Sequence, residues 1–194
     1  MNTTRSTARW VGALLLAAFL LYGVGSSLAT GAHEHGGLLT IGVTMMLANC
    51  VAIVAIGGLL VPVLRPESPR VAFGYLATRI FEATILAVGA IALSAGAVGV
   101  NFSAYNIAMA GLGIGSLFFC AALYRSRLVP GFLAVWGFIG YTAFAVGSVL
   151  ELTGVAGSGL IAAIPGGLFE IFLAVWLITR GFGAHRAATV AAHA

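Results

Sequence analysis

The sequence predicts an all-α, polytopic membrane protein: a bundle of six transmembrane helices with both termini in the cytoplasm. Three observations carry that fold class. Apolar residues fill 61% of the 194 positions and charged residues only 7%, far from the balance of a soluble domain. Six apolar runs are each long enough to cross a hydrocarbon core about 30 Å thick. The arginines of the connecting segments fall on one side when those runs alternate in direction. The length suits a single domain, 1–194, with a short cytoplasmic tail at 182–194 and no stretch polar enough for a separate soluble unit.

The first span is read at 10–28, preceded by Arg5 and Arg9 and opened by Trp10, an interface residue. Those arginines, the apolar run and Ser27-Leu28-Ala29 also have the layout of a signal peptide with a small-residue cleavage site. The run is long for that purpose, so a retained helix is the reading. The second span, 38–64, stops before a loop holding Arg65, Pro66, Pro69 and Arg70. The third, 71–94, and the fourth, 105–124, are joined by the uncharged segment 95–104. The fourth ends at Arg125 and Arg127, the fifth runs over 132–152 after Pro130, and the sixth, 160–179, closes at Arg180-Gly181.

Arginines at 5, 9, 65, 70, 125, 127, 180 and 186 therefore share one side, and the positive-inside rule makes that side cytoplasmic. The net charge of +4 is a topology signal, not a nucleic-acid surface, because the arginines are scattered one or two per loop. No Lys, Asp or Gln occurs. That bias, with abundant Ala, Gly and Val, fits a GC-rich bacterial genome and hence a bacterial plasma membrane. Cys50 and Cys120 lie within spans and read as free, buried thiols. Faint echoes join Gly25-Ser26-Ser27-Leu28 to Gly147-Ser148-Val149-Leu150 and Phe81-Glu82 to Phe169-Glu170. They fit either an inverted three-plus-three repeat or chance matches in low-complexity sequence.

The stretch Leu123-Tyr124-Arg125-Ser126-Arg127-Leu128-Val129-Pro130, followed by Phe132-Leu133-Ala134 and Trp136-Gly137, resembles a bacterial integral-membrane family catalogued as domain of unknown function 4386. Arg79-Ile80-Phe81-Glu82-Ala83 is similar to its Arg-x-x-Glu helix, and Glu170 with Leu173-Ala174, Trp176-Leu177 and Arg180-Gly181 to its closing helix. The resemblance covers most of the chain and is strongest from Val71 to Gly181. It implies a multi-helix bacterial membrane protein and carries no established activity.

Three ionisable residues stand where lipid should be: Arg79 and Glu82 in the third span and Glu170 in the sixth. Each costs roughly 2.5–3.5 kcal/mol at the bilayer centre even on the lenient insertion scale. Arg79 and Glu170 both fall roughly 13–18 Å deep, so they can meet near the midplane. Arginine keeps its charge, whereas a desolvated carboxyl can take up a proton. With one cation and two acids, the cheapest buried state is one ion pair and one protonated glutamic acid. Tyr75 and Thr78 extend the same helix face, and Asn49, Ser116 and Tyr141 are candidate hydrogen-bond partners. The cluster reads either as a structural pin between helices or as a site in which Arg79 grips an anionic or carbonyl group while a glutamate exchanges a proton.

Around it, Glu151 ends the fifth span as a solvated terminus or a gate. Pro165-Gly166-Gly167, one turn before Glu170, predicts a kink or hinge beside the acid. Gly111 and Gly115 form a small-residue packing stripe. His33 and His35 flank Glu34 at a spacing that can ligate zinc or copper, but without a third ligand they are weak metal candidates. None of the four histidines lies inside a span, so haem lacks an axial ligand and no cofactor is expected. No nucleophile, base and orienter set is identifiable. Binding or transport of a small or lipid-like ligand is thus the leading function, with the bilayer as partner and oligomeric state open. A non-catalytic membrane partner or assembly protein is the rival, and an intramembrane enzyme the third class.

The one-sided arginines make topology testable. Single cysteines placed in loops 65–70 and 125–130 should be protected from an impermeant external thiol reagent, and one in loop 31–37 should be labelled. The reverse pattern would overturn the six-span topology.

Overall fold

The computed structural model describes residues 2–31 and 36–183. Among them the chain is helical throughout its regular elements: α1 (Asn2–Gly31), α2 (Gly37–Leu64), α3 (Pro69–Ser94), α4 (Val98–Ser126), α5 (Gly131–Leu152) and α6 (Ser158–Thr179). All six are long and apolar enough to cross a membrane. This is a multi-pass membrane protein. The helices overrun the apolar spans read from sequence, α1 by eight residues and α4 by seven at their starts. A helix satisfies its own backbone beyond the hydrocarbon edge, so polar residues such as Asn101 and Ser103 shorten the hydropathy signal without ending the helix.

Local chemistry marks the ends. Ser68 caps α3, its hydroxyl accepting from the Val71 N–H at 3.4 Å, with Pro69 at the first helical position. Arg127 leaves α4 in the left-handed region at φ 53°. Gly154 and Gly157, at φ 101° and 82°, turn the α5–α6 connection where a side chain would be strained.

Short connections make successive helices antiparallel neighbours, and α6 packs back against α1, so the six close into a ring. One end of the ring, here the terminal face, carries the start of α1, the end of α6 and the α2–α3 and α4–α5 turns. The arginines at 65, 70, 125, 127 and 180 gather there. Large apolar side chains face outward, with Trp10 63% and Leu160 77% exposed. Water would not tolerate such a surface, and lipid does. Without a hydrophobic drive between helices in lipid, close van der Waals packing must hold them together. Gly42 meets Gly25 and Ala29 across α1–α2, and Gly113 meets Tyr141 and Ala145 across α4–α5.

A Cβ on Gly113 would lie 2.5 Å from the Tyr141 carbonyl oxygen and 2.7 Å from the Ala145 nitrogen. Gly113→Ala should destabilise the protein by about 1–3 kcal/mol. Gly58→Ala, where a Cβ meets nothing within 4 Å, should be neutral or stabilising by up to about 1 kcal/mol. Melting temperatures in detergent check the pair, and equal shifts would contradict the packing.

Candidate functional site

Arg79 and Glu82 project from α3 one turn apart into the middle of the ring. Glu170 of α6 meets them there. All three are buried. The Arg79 Nη1 donates to Glu82 Oε2 at 2.9 Å and its Nη2 to Glu170 Oε1 at 3.3 Å. Its Nε donates to the Tyr75 hydroxyl at 2.8 Å, and the guanidinium carbon lies 5.1 Å from the Tyr75 ring centroid. Tyr141 of α5 donates its hydroxyl to Glu170 Oε1 at 2.7 Å. A single cation thus ties α3 to α6, and α5 joins through a tyrosine. Room for the arginine stem comes from Gly57 of α2, where a Cβ would stand 3.1 Å from the Arg79 Cβ.

The two ends of the ring interior differ. Toward the terminal face Tyr75 stacks on Phe119 at 4.3 Å. There Leu60, Leu123 and Leu177 complete a plug that leaves only about 10 Å³ of space. Toward the other face a cavity of about 230 Å³ begins at the charged cluster. Its polar end holds Arg79, Glu82, Glu170 and Asn49; its walls include Phe19, Tyr22, Tyr105, Met109 and Phe144. Tyr22 and Tyr105 stack across the ring at 5.5 Å. Asn49 is 2% exposed, and its side chain makes no hydrogen bond among the described residues. It is an amide held at the edge of a cavity.

Several expectations change on this geometry. Neither Asn49 nor Ser116 bonds the charged groups; the buried Ser116 hydroxyl has no partner among the described residues, and the longer Tyr75 and Tyr141 occupy the partner positions. Thr78 donates to the Gly74 carbonyl at 3.0 Å and packs against Gly115, while Phe81 packs against Gly111. The glycine stripe is therefore α3–α4 packing. Glu151 is not brought to the cluster. Its Oε1 accepts from the Gly157 N–H at 3.1 Å and its Oε2 from the Gly159 N–H at 2.8 Å, which caps α6.

Pro165, Gly166 and Gly167 lie in an unbroken α6. The Pro165 carbonyl accepts from Trp136 Nε1 at 3.1 Å, and Gly166 sits against Gly140 and the Phe144 ring. Gly140 and Gly166 serve close approach of α5 to α6 beside the cavity, whereas Gly167 faces Phe19 of α1. His33 and His35 lie outside the described residues, and no group of three metal-ligating side chains occurs among those described. Sequence reasoning did not single out the cavity walls Tyr22, Tyr105 and Phe144, and only their helical phase against α3 would have done so. A larger hollow of about 640 Å³ on the terminal face, edged by Arg125, Arg127 and Arg180, is separate from the cluster.

The family model described as Domain of unknown function (DUF4386) matches residues 6–99 and 92–181. The chain belongs to this family. In this DUF4386 protein the first matched stretch spans α1–α3 and the second α4–α6. Arg79 and Glu82 close the first, Glu170 the second, so the ion pair joins the two. No curated protein and no solved structure matches the chain.

Removing Arg79 leaves two carboxyls that can protonate, whereas removing both acids leaves a cation that cannot be neutralised. Glu82→Gln combined with Glu170→Gln should cost about 3–5 kcal/mol, more than Arg79→Gln. Thermal unfolding in detergent decides it; an equal or reversed ranking would mean that Arg79 finds compensation elsewhere.

Proposed function

We propose that this DUF4386 protein binds or transports a small or lipid-like ligand, whose polar end meets the Arg79, Glu82 and Glu170 cluster and whose body fills the adjoining cavity. The cavity itself carries this reading. A pure staple needs a dry, fully paired network, yet here a space of about 230 Å³ adjoins the charges, and it is lined by an amide with no hydrogen-bond partner among the described residues. Ligand sites in helix bundles have this character, apolar walls with a few convergent polar groups. We place the protein in a bacterial plasma membrane with its termini in the cytoplasm, following the arginine asymmetry. In that orientation the cavity lies in the outer half and the Tyr75–Phe119 plug closes the inner half.

The rival, a membrane partner or assembly protein, draws support from the ion pairs themselves, which tie α3 to α6 in any case. No geometry among the described residues favours an intramembrane enzyme.

Accessibility separates the readings. In a chain carrying Cys50→Ala and Cys120→Ala, Met109→Cys in the cavity wall should react with a small membrane-permeant thiol reagent. Leu123→Cys, in the plug, should remain unreactive. Gly23→Trp, placed where a Cβ meets nothing within 4 Å but at the cavity wall, should fold normally and suppress the Met109→Cys reaction. Two equally inert cysteines would favour the structural rival.

A further inference from the structure

We infer that the ligand's polar end is an organic ammonium group, and that it enters in exchange for one proton. This rests on the cavity being a ligand site, as proposed above.

Charge count gives the sign. The cluster holds one permanent cation and two carboxyls. Fully ionised it is one unit negative, a state that hydrocarbon surroundings penalise strongly. Empty, it reaches neutrality by keeping one proton. An anionic ligand would add a third negative group against a single arginine. That arginine already donates from Nε, Nη1 and Nη2 to Tyr75, Glu82 and Glu170. A monocation restores neutrality when it takes the place of the proton.

The hydrogen-bonding surface agrees. Glu82 uses Oε2 for Arg79, and Glu170 uses Oε1 for both Arg79 and Tyr141. The second oxygen of each carboxyl has no hydrogen-bond partner among the described residues, and both acids line the cavity with Asn49. Those two carboxyl oxygens can accept only, and each can take an N–H donor. Its walls favour an organic body over a bare metal ion. Rings of Phe19, Tyr22, Tyr105 and Phe144 and the side chains of Leu86 and Met109 surround the space. Aromatic faces attract ammonium groups, whereas a calcium or magnesium ion needs about six or more oxygen ligands.

The titratable groups near the two acids are Tyr22 of α1, Cys50 of α2, Tyr75 of α3, Tyr105 and Cys120 of α4 and Tyr141 of α5. All are neutral in their protonated forms. The exchangeable proton therefore belongs to the charged cluster itself. The balance is simple: one ammonium ion enters, one proton leaves, and no bond in the ligand changes.

The full-length protein in lipid nanodiscs would be titrated with benzylammonium, with benzyl alcohol as neutral isostere, benzoate as anion and sodium ion as inorganic cation. Benzylammonium should bind saturably, release about one proton into weakly buffered solution and bind less tightly as pH falls. Glu82→Gln should keep the Arg79–Glu170 pair, abolish proton release and weaken benzylammonium by about tenfold or more. Glu170→Gln should keep the Arg79–Glu82 pair instead, with the same loss of proton release and of affinity, and serves if the first variant does not fold. Tighter binding of benzoate or benzyl alcohol, benzylammonium binding without proton release, or proton release by sodium alone would each overturn the ammonium assignment. Absence of benzylammonium binding while Met109→Cys stays reactive removes only this inference; absence of both removes the ligand cavity with it.

Discussion

Arg79 is the group that this bundle can neither neutralise nor leave alone in hydrocarbon, and the interior is arranged around it. Each of its nitrogens has an acceptor: Tyr75 for Nε, Glu82 for Nη1 and Glu170 for Nη2. Two of those acceptors lie on its own helix and would hold it in an isolated α3. The third lies 91 residues away on α6. A buried charge left without its partner costs far more than the pair contributes, so the guanidinium enforces the α3–α6 relation without being a large net source of stability. Tyr141 extends the constraint to α5.

Around that centre, small residues set the helix spacing. Gly57 admits the arginine stem, Gly140 and Gly166 bring α5 against α6, and Gly113 brings α4 against α5. Lipid cannot drive helices together as water drives apolar surfaces together, so packing of this closeness is what the ring has instead. The glycine pair beside Glu170 shows the consequence for the site. Gly166 faces the Phe144 ring, and Phe144 is also a cavity wall. A side chain added there would displace that wall, so packing and site shape are coupled at that position.

The interior is asymmetric for a chemical reason. On the terminal side of the cluster, Tyr75 and Phe119 stack and leucines fill the remainder. On the other side the wall residues are tyrosines, phenylalanines and a methionine that leave space between them. The carboxyl oxygens that Arg79 does not use belong with that space. Pin and cavity are two sides of one group of residues: the arginine binds the helices together with one oxygen of each acid, and the other oxygen of each has no hydrogen-bond partner among the described residues.

The membrane class, the six helices and the identity of the charged trio were legible in the sequence, because hydropathy over about 20 residues and the cost of a charge in lipid are local properties that each segment carries by itself. The family membership was legible for the same reason, through the spacing of Arg79 and Glu82 and the basic turn before Pro130. Ring closure by α6 on α1, the choice of Tyr75 and Tyr141 over Asn49 and Ser116 as partners, the capping role of Glu151 and the cavity itself were decided only in three dimensions. In a sequence this rich in Ala, Gly, Leu and Val the lipid-facing and interior faces are both apolar, so no periodic contrast tells them apart. Only the packed ring determines which tyrosine reaches a carboxyl, which glycine a ring fills, and where space is left over.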